Sequence, residues 1–361
     1  MHRMWQGLWW KGFLRLSYLW VCLPSLGIVA ASATERYVVP AGSGVTPSPP
    51  YTSWTDAATN IQDAVNACSA NDVVWVTNGT YYGWSHSAYA GYTSMVSVFK
   101  ASNITVQSVN GPEVTVVNAN YPYFTNRCFL LTSNAVVSGF TITNGRVKDL
   151  ALNTGGGGVL INGSGRVTNC WITGNSTTND MPIDINSSNG GGGVRCKGGG
   201  EVFNCRIYAN SSTGGSLAAA VYANGAGNYT IRDCVLSNNN SSGYAVYTVT
   251  TVSVANCAFI NNSAKGLVMW PALDFSVDDC QMIGNSNEGC YVSRGIGVVR
   301  NCQMSNNGGS GIQTTSMDSG IISNCMSANN GGYGIVTGNN KPNLLGLIIP
   351  KENPPGKSHN N

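Results

Sequence analysis

Val254-Ala255-Asn256-Cys257-Ala258-Phe259-Ile260-Asn261-Asn262 is followed by Val277-Asp278-Asp279-Cys280-Gln281-Met282-Ile283-Gly284-Asn285, and the same phrase recurs along the chain. Its cysteines are Cys170, Cys205, Cys234, Cys257, Cys280, Cys302 and Cys325, at intervals of 35, 29, 23, 23, 22 and 23 residues. With each cysteine as position 0, position −3 is always Val or Ile and position −1 always Asn or Asp. Position +5 is always Asn: Asn175, Asn210, Asn239, Asn262, Asn285, Asn307 and Asn330. A fixed period of this length is the mark of a stacked repeat architecture.

The columns have a common physical reading. Positions −3 and 0 have opposite parity, so one straight strand cannot turn both inward. A bend at −1 resolves this, and Asn and Asp are the non-glycine residues that best tolerate a left-handed backbone. Position +2 then shares the inward face with the cysteine. A third strand precedes each phrase, as in Gly157-Gly158-Val159-Leu160-Ile161 and Tyr244-Ala245-Val246-Tyr247. Three short strands in 22–23 residues close one coil. Stacked coils put equivalent residues about 4.8 Å apart, and Asn can then hydrogen-bond along the axis. The expected fold is all-β, a single-stranded right-handed parallel β-helix. Val137, Phe140 and Ile142 extend the columns backward, and Ile104, Gln107 and Val109 are placed on them as well.

The organisation follows from this reading. Residues 1–33 read as a signal peptide: Arg3, Lys11 and Arg15 precede an apolar run, and Ala31-Ser32-Ala33 offers a cleavage site after Ala33. Residues 34–94 read as a cap and first coil, 95–340 as the β-helix, and 341–361 as a C-terminal cap with a disordered tail. A capping helix is expected after Ser53-Trp54-Thr55-Asp56, which has capping-box spacing, with Ala58, Ile61, Val65 and Cys68 on one face. At the other end Leu344, Leu345, Leu347, Ile348 and Ile349 are placed over the last coil.

Composition limits the function. Charged residues make up 10% of the chain, against about a quarter in an average soluble protein. Removing residues 1–33 lowers the formal charge from +3 to zero, because three basic and no acidic residues go. A neutral mature chain has no basic excess to release counterions from a nucleic acid, so that partner is set aside. No later stretch is long and apolar enough to span a bilayer. A monomer, secreted or periplasmic, is expected. The cysteines have no CxxC pair or His cluster, and rung spacing exceeds the Cβ separation of about 3.8 Å that a disulfide wants. They read as a buried column of thiols.

The long intervals point to a site. Extra residues fall between the third strand of one coil and the first strand of the next, at 77–94, 118–127, 145–155, 176–190 and 211–217. Sharing one angular position, they should stack as a ridge on the N-terminal half, and loops on a rigid scaffold commonly carry function. Tyr82, Trp84, Tyr89, Tyr121 and Tyr123 offer aromatic faces to sugar rings, and Arg146 and Lys148 add positive charge. Asp149, Asp180 and Asp184 are the candidate ligands for Ca²⁺; no cofactor is otherwise required. Alternation along the first strands should turn Arg195, Lys197, Tyr222, Tyr247 and Tyr291 outward beside the ridge.

Over roughly residues 36–340 the chain resembles the pectate-lyase-like superfamily of β-helix proteins. The resemblance rests on Tyr37-Val38-Val39-Pro40, Ala58-Thr59-Asn60-Ile61-Gln62-Asp63-Ala64-Val65 and Val74-Trp75-Val76-Thr77-Asn78-Gly79-Thr80-Tyr81, which look like the opening of exported bacterial β-helix proteins. The Gly-Gly-Gly-Val and Asn-Cys-x-Ile-x-x-Asn phrases are also similar to repeats of polymorphic membrane proteins. The resemblance implies a groove beside the first strands. The Gly-His-Gly segment of galacturonan hydrolases is missing, and Asp278-Asp279 places one carboxylate in the bend column. A lyase of this type would use Arg195 or Lys197 as the base. Three readings follow: a binder of polysaccharide or a cell-surface glycan, a Ca²⁺-dependent polysaccharide lyase, and a structural or adhesive protein.

Overall fold

Each repeat phrase turns two left-handed corners. At position −1, φ lies between 49° and 56° from Asn169 to Asn324, where Asn and Asp are least penalised. A second corner, not anticipated from the sequence, falls at +4. Gly174, Ala209, Asn238, Asn261, Gly284, Asn306 and Asn329 have φ between 51° and 67° there. Only Ala209 lacks the residue type such a corner favours.

The computed structural model describes residues 33–83, 86–87, 92–149, 155–179, 190–214, 218–270, 274–338 and 342–346. They form a right-handed parallel β-helix with a short N-terminal helix. One coil reads Tyr244–Thr248, Val252–Ala255 and Ala258–Ile260, and the next Lys265–Met269, Asp274–Asp278 and Gln281–Ile283. First and second strands merge into one sheet because Cys290–Arg300 and Ile312–Ser323 run through both without a break. Third strands form a sheet of their own. Glu35–Val38 and Val73–Val76 already belong to the stack, pairing in register with each other and onward to Thr105–Ser108.

Behind the second corner runs the Asn ladder. Its seven asparagines are 0–1% exposed. Each Nδ2 from Asn175 to Asn307 donates to the next coil's Asn Oδ1 at 2.9–3.1 Å. That oxygen also accepts the preceding Asn backbone N–H at 3.0–3.2 Å. The second Nδ2 hydrogen goes to the +2 carbonyl of the coil before, as from Asn262 to Leu236 at 3.0 Å. The ends are closed: Gly145 N–H donates to Asn175 Oδ1 at 2.9 Å, and Asn330 Nδ2 donates to Ser327 Oγ at 3.0 Å.

The cysteine column lies at the other corner. Each of its seven thiols donates to the carbonyl two residues back at 3.0–3.2 Å. A small apolar side chain with a weak donor suits that place. All the cysteines described are free, and all but Cys68 are buried, in agreement with the thiol-column reading.

Several local expectations shift. Phe140 and Ile142 hold their columns, the latter paired with Ile172. Val106, not Ile104, pairs with Val137 in the −3 column, and Val109 is 43% exposed. Residues 109–114 are inserted at that corner, so a fixed spacing misaligns the coil. The helix is Ile61–Asn66, capped by Asn60, whose side chain accepts from Gln62 N–H at 2.8 Å. Ser53 and Asp56 instead bond to each other in the loop before it. Ile61 and Val65 are buried as expected. Gln62 caps the sheet edge: its amide accepts from Ser97 N–H at 2.6 Å and donates to Ser97 O at 3.2 Å. At the far end Asn343–Leu345 adds one more rung, and Leu344 and Leu345 are exposed on it; residues 347–349 lie outside the described residues.

The long intervals begin as a small third sheet of Arg146–Asp149, Ser176–Asn179, Ser211–Thr213 and Asn240–Ser241. Glycine is required beside it. A Cβ on Gly157 would sit 2.4 Å from Ser176 O, and one on Gly192 2.3 Å from Ser211 O.

Asn262→Ala takes the partner from one Nδ2 hydrogen and the backbone N–H of Asn239, and removes the amide bonded to the Leu236 carbonyl. It should cost about 3–5 kcal/mol in urea unfolding, since buried unpaired groups pay their full desolvation. Burial also pushes the thiols of Cys128 and Cys170 up to about 12. An unfolded thiol ionises near pH 8.5, so their contribution to stability is full below about that pH and is lost as pH rises toward the folded value. The urea midpoint should fall over that window; a midpoint that stays flat or rises would contradict burial of these two thiols in their neutral form.

Candidate functional site

The outward column of the first strands reads Leu130, Leu160, Arg195, Tyr222, Tyr247, Val268 and Tyr291 in register. Alternation therefore points Arg195, Tyr222 and Tyr247 to the expected side. Yet they are 1%, 3% and 9% exposed. At rung spacing, flat side chains shield one another. The Arg195 guanidinium lies 4.5 Å from the Tyr222 ring centre, Tyr222 and Tyr247 stack at 5.5 Å, and Tyr244 stacks on Tyr247 at 4.7 Å. Arg195 also donates to Asn224 Oδ1 at 2.8 Å. Burial raises the Tyr247 and Tyr222 hydroxyls above the ordinary tyrosine value, with Arg195 opposing it at Tyr222. Arg195 is thus a fixed cation within a stack, not an open one.

Lys197 is half-buried, two residues along the same outward face. Its Nζ donates to the Tyr92 hydroxyl at 3.3 Å and lies 6.0 Å from that ring. Tyr92 packs on Leu130 and Leu160, and the Arg127 guanidinium stands 5.4 Å from its ring while donating to Thr93 O at 2.8 Å. The end of the first long loop therefore folds over the outward face. Arg127 and Asn224 escaped sequence reasoning. Asn224 could have been found from its register with Lys197.

A second group forms on the ridge itself. Tyr82 and Tyr123 are 63% and 80% exposed and flank an open hollow of ≈ 380 Å³ with Gly83, Asn120 and Phe124. An adjoining hollow of ≈ 200 Å³ shares Tyr82 and Gly83 and is floored by Met95 and Val96. Asn118 Oδ1 accepts from Asn120 N–H at 2.8 Å, and Asn120 turns left-handed at φ 60°, which sets the direction of the Tyr121–Phe124 segment. Arg146 donates to the Tyr121 hydroxyl at 2.6 Å with its guanidinium 4.5 Å from the ring centre. Lys148 is exposed nearby in sequence.

Trp84, Tyr89, Asp180 and Asp184 lie outside the described residues, as does the side chain of Asp149. Among the described residues no three His, Cys, Asp or Glu side chains gather as metal ligands. Asp279 occupies its corner at φ 51°, and Asp278 is paired with Arg300. That pair of aspartates is structural.

Residues 60–295 and 219–346 match the family described as "Right handed beta helix region". Among solved structures, the chain is similar to the pectate lyase Pel9A, with a TM-score of 0.53 and 16% identity, covering 89% of this chain and 78% of that one. It is also similar to the A-module of the mannuronan C-5 epimerase AlgE4 of Azotobacter vinelandii, with a TM-score of 0.42 and 13% identity over 88% and 98% of the two chains. At such identities the likeness is one of fold. Curated protein sequences yield no match.

The burial of Arg195 has a direct consequence. Arg195→Ala should lower stability by about 2–4 kcal/mol, from lost packing and a lost desolvated cation–π contact. Arg195→Met, which keeps the aliphatic stem, should lose less. Urea unfolding of both variants checks this; an unchanged midpoint for Arg195→Ala would mean that the stack is not held by the guanidinium.

Proposed function

The chain belongs to the right-handed β-helix family, and from that architecture we propose that it is an exported protein that binds an acidic polysaccharide or cell-surface glycan along the ridge of its N-terminal half. The observation that carries this is the open hollow between Tyr82 and Tyr123. Exposed rings around a concave surface match the apolar face of a sugar and bury it on stacking. The preference for acid comes from Arg146 on Tyr121 and from Lys148 beside it. Guanidinium recognises carboxylate in a planar, two-pronged manner. Export rests on the reading of residues 1–33, with cleavage after Ala33. Among the described residues no helix is long and apolar enough to cross a membrane.

A lyase reading has one observation in its favour. Lys197 stands on the outward face of the first strands with its ammonium against the Tyr92 hydroxyl, within the strip where a chain following the ridge would pass. As a base it would act from its neutral amine, taking the proton α to a uronate carboxyl to become the ammonium. Asp149, Asp180 and Asp184 would complete that reading as the Ca²⁺ ligands.

Both readings meet in one experiment. Purified protein is titrated with acidic oligosaccharides by calorimetry, then incubated with them and Ca²⁺ while ultraviolet absorbance of unsaturated product is followed. Binding that weakens about tenfold or more in Tyr123→Ala, about 1.4 kcal/mol, with no product, is the expected result. Product that disappears in Lys197→Ala would make the protein a lyase. Binding unaffected by Tyr123→Ala would remove the hollow from the site.

A further inference from the structure

A second aromatic surface lies at the N-terminal tip, on the outer side of the second strands. Tyr37 and Trp75 are register partners on adjacent rungs, both turned outward. Trp54, 41% exposed, comes from the loop before the helix and meets Tyr37 at 4.4 Å between ring centres, tilted by 59°. Between them stands the exposed Glu35. Its carboxylate accepts from the Tyr37 hydroxyl on one oxygen and from Trp75 Nε1–H at 3.1 Å on the other. These bonds hold Glu35 below the ordinary carboxylate range.

The packing of the helix does not require this arrangement. In the same outward columns the next rung holds Thr105 and Gln107, so the solenoid is satisfied there by small or polar residues. Arg36 is turned to the opposite face by strand alternation, where it is buried and pairs with Asp72 at 3.1 Å. The outward positions of the first three rungs are Glu35, Tyr37, Val73, Trp75, Thr105 and Gln107, without a cation. A carboxylate offers about four acceptor sites, and two are used by the phenol and the indole, which fix its orientation. The others face solvent.

We propose that Trp54, Tyr37, Trp75 and Glu35 form a second glycan-binding site, selective for uncharged sugars. The apolar face of a pyranose stacks on the exposed indole, and its hydroxyls donate to the fixed Glu35 carboxylate. A uronate is repelled by the same carboxylate. The ridge and the tip therefore have opposite charge preferences, and the tip site stands whether or not the ridge binds acidic glycans.

The test is a titration of the full chain with neutral gluco-, xylo-, manno- and galacto-oligosaccharides, following calorimetric heat and tryptophan fluorescence, with oligogalacturonate run in parallel. At least one neutral oligomer should bind and perturb tryptophan emission. Trp54→Ala, shown folded by circular dichroism, should weaken that binding at least tenfold, and Glu35→Gln several-fold. Glu35→Gln answers the question if Trp54→Ala does not fold. Absence of binding by every neutral oligomer overturns the proposal, as does unchanged binding in both variants.

Discussion

A buried amide leaves a protein little freedom. Each ladder asparagine places one side chain of two donors and one acceptor in a water-free interior, where an unpaired group costs more than a made bond returns. The ladder from Asn175 to Asn330 meets that cost by making every asparagine the partner of the next. One coil can then be stacked on another only in the register that brings amide to amide. The nine residues from position −3 to +5 therefore keep their spacing in all seven phrases, while the intervals between phrases range from 22 to 35 residues. Extra chain enters after the ladder and before the next first strand. The position of the ridge loops is thus a consequence of the interior.

The two corners divide the remaining work. At −1, Asn and Asp supply the left-handed turn and the following thiol takes up the carbonyl just before it. At +4 a second turn delivers the ladder residue inward. Both corners are short and leave the outer faces of the strands as the adaptable surface. Along the first strands the outer column changes character within a few rungs: aliphatic at Leu130 and Leu160, cationic at Arg195, aromatic at Tyr222 and Tyr247. Stacking at the rung spacing converts these into a closed layer, with Arg195 as its buried cation.

The two proposed binding surfaces lie at the places where stacking is interrupted. On the ridge, the Tyr121–Phe124 segment departs from the coil and leaves Tyr82 and Tyr123 open around a hollow. At the tip, the stack begins, and the aromatic surface is built from the first two rungs and the loop that borders them. One carries Arg146 and the other Glu35.

The repeat, the inward columns, the −1 corner, the thiol column and the ladder were legible in the chain, because every coil must meet the same local demands and so repeats the same residue types. The coil at residues 104–118 was misaligned because its inserted corner breaks the spacing on which such reading depends. Strand alternation told on which side Arg195, Tyr222 and Tyr247 lie, but not that they are covered, since parity carries no information about what packs above a side chain. Lys197 and Tyr92 meet across 105 residues, and Glu35 and Trp75 across 40. Those contacts belong to the stacking of separate coils, which no local pattern encodes. Periodicity along the chain determined the scaffold, and only the tertiary structure decided which outward side chains are buried in a stack and which stand open to a ligand.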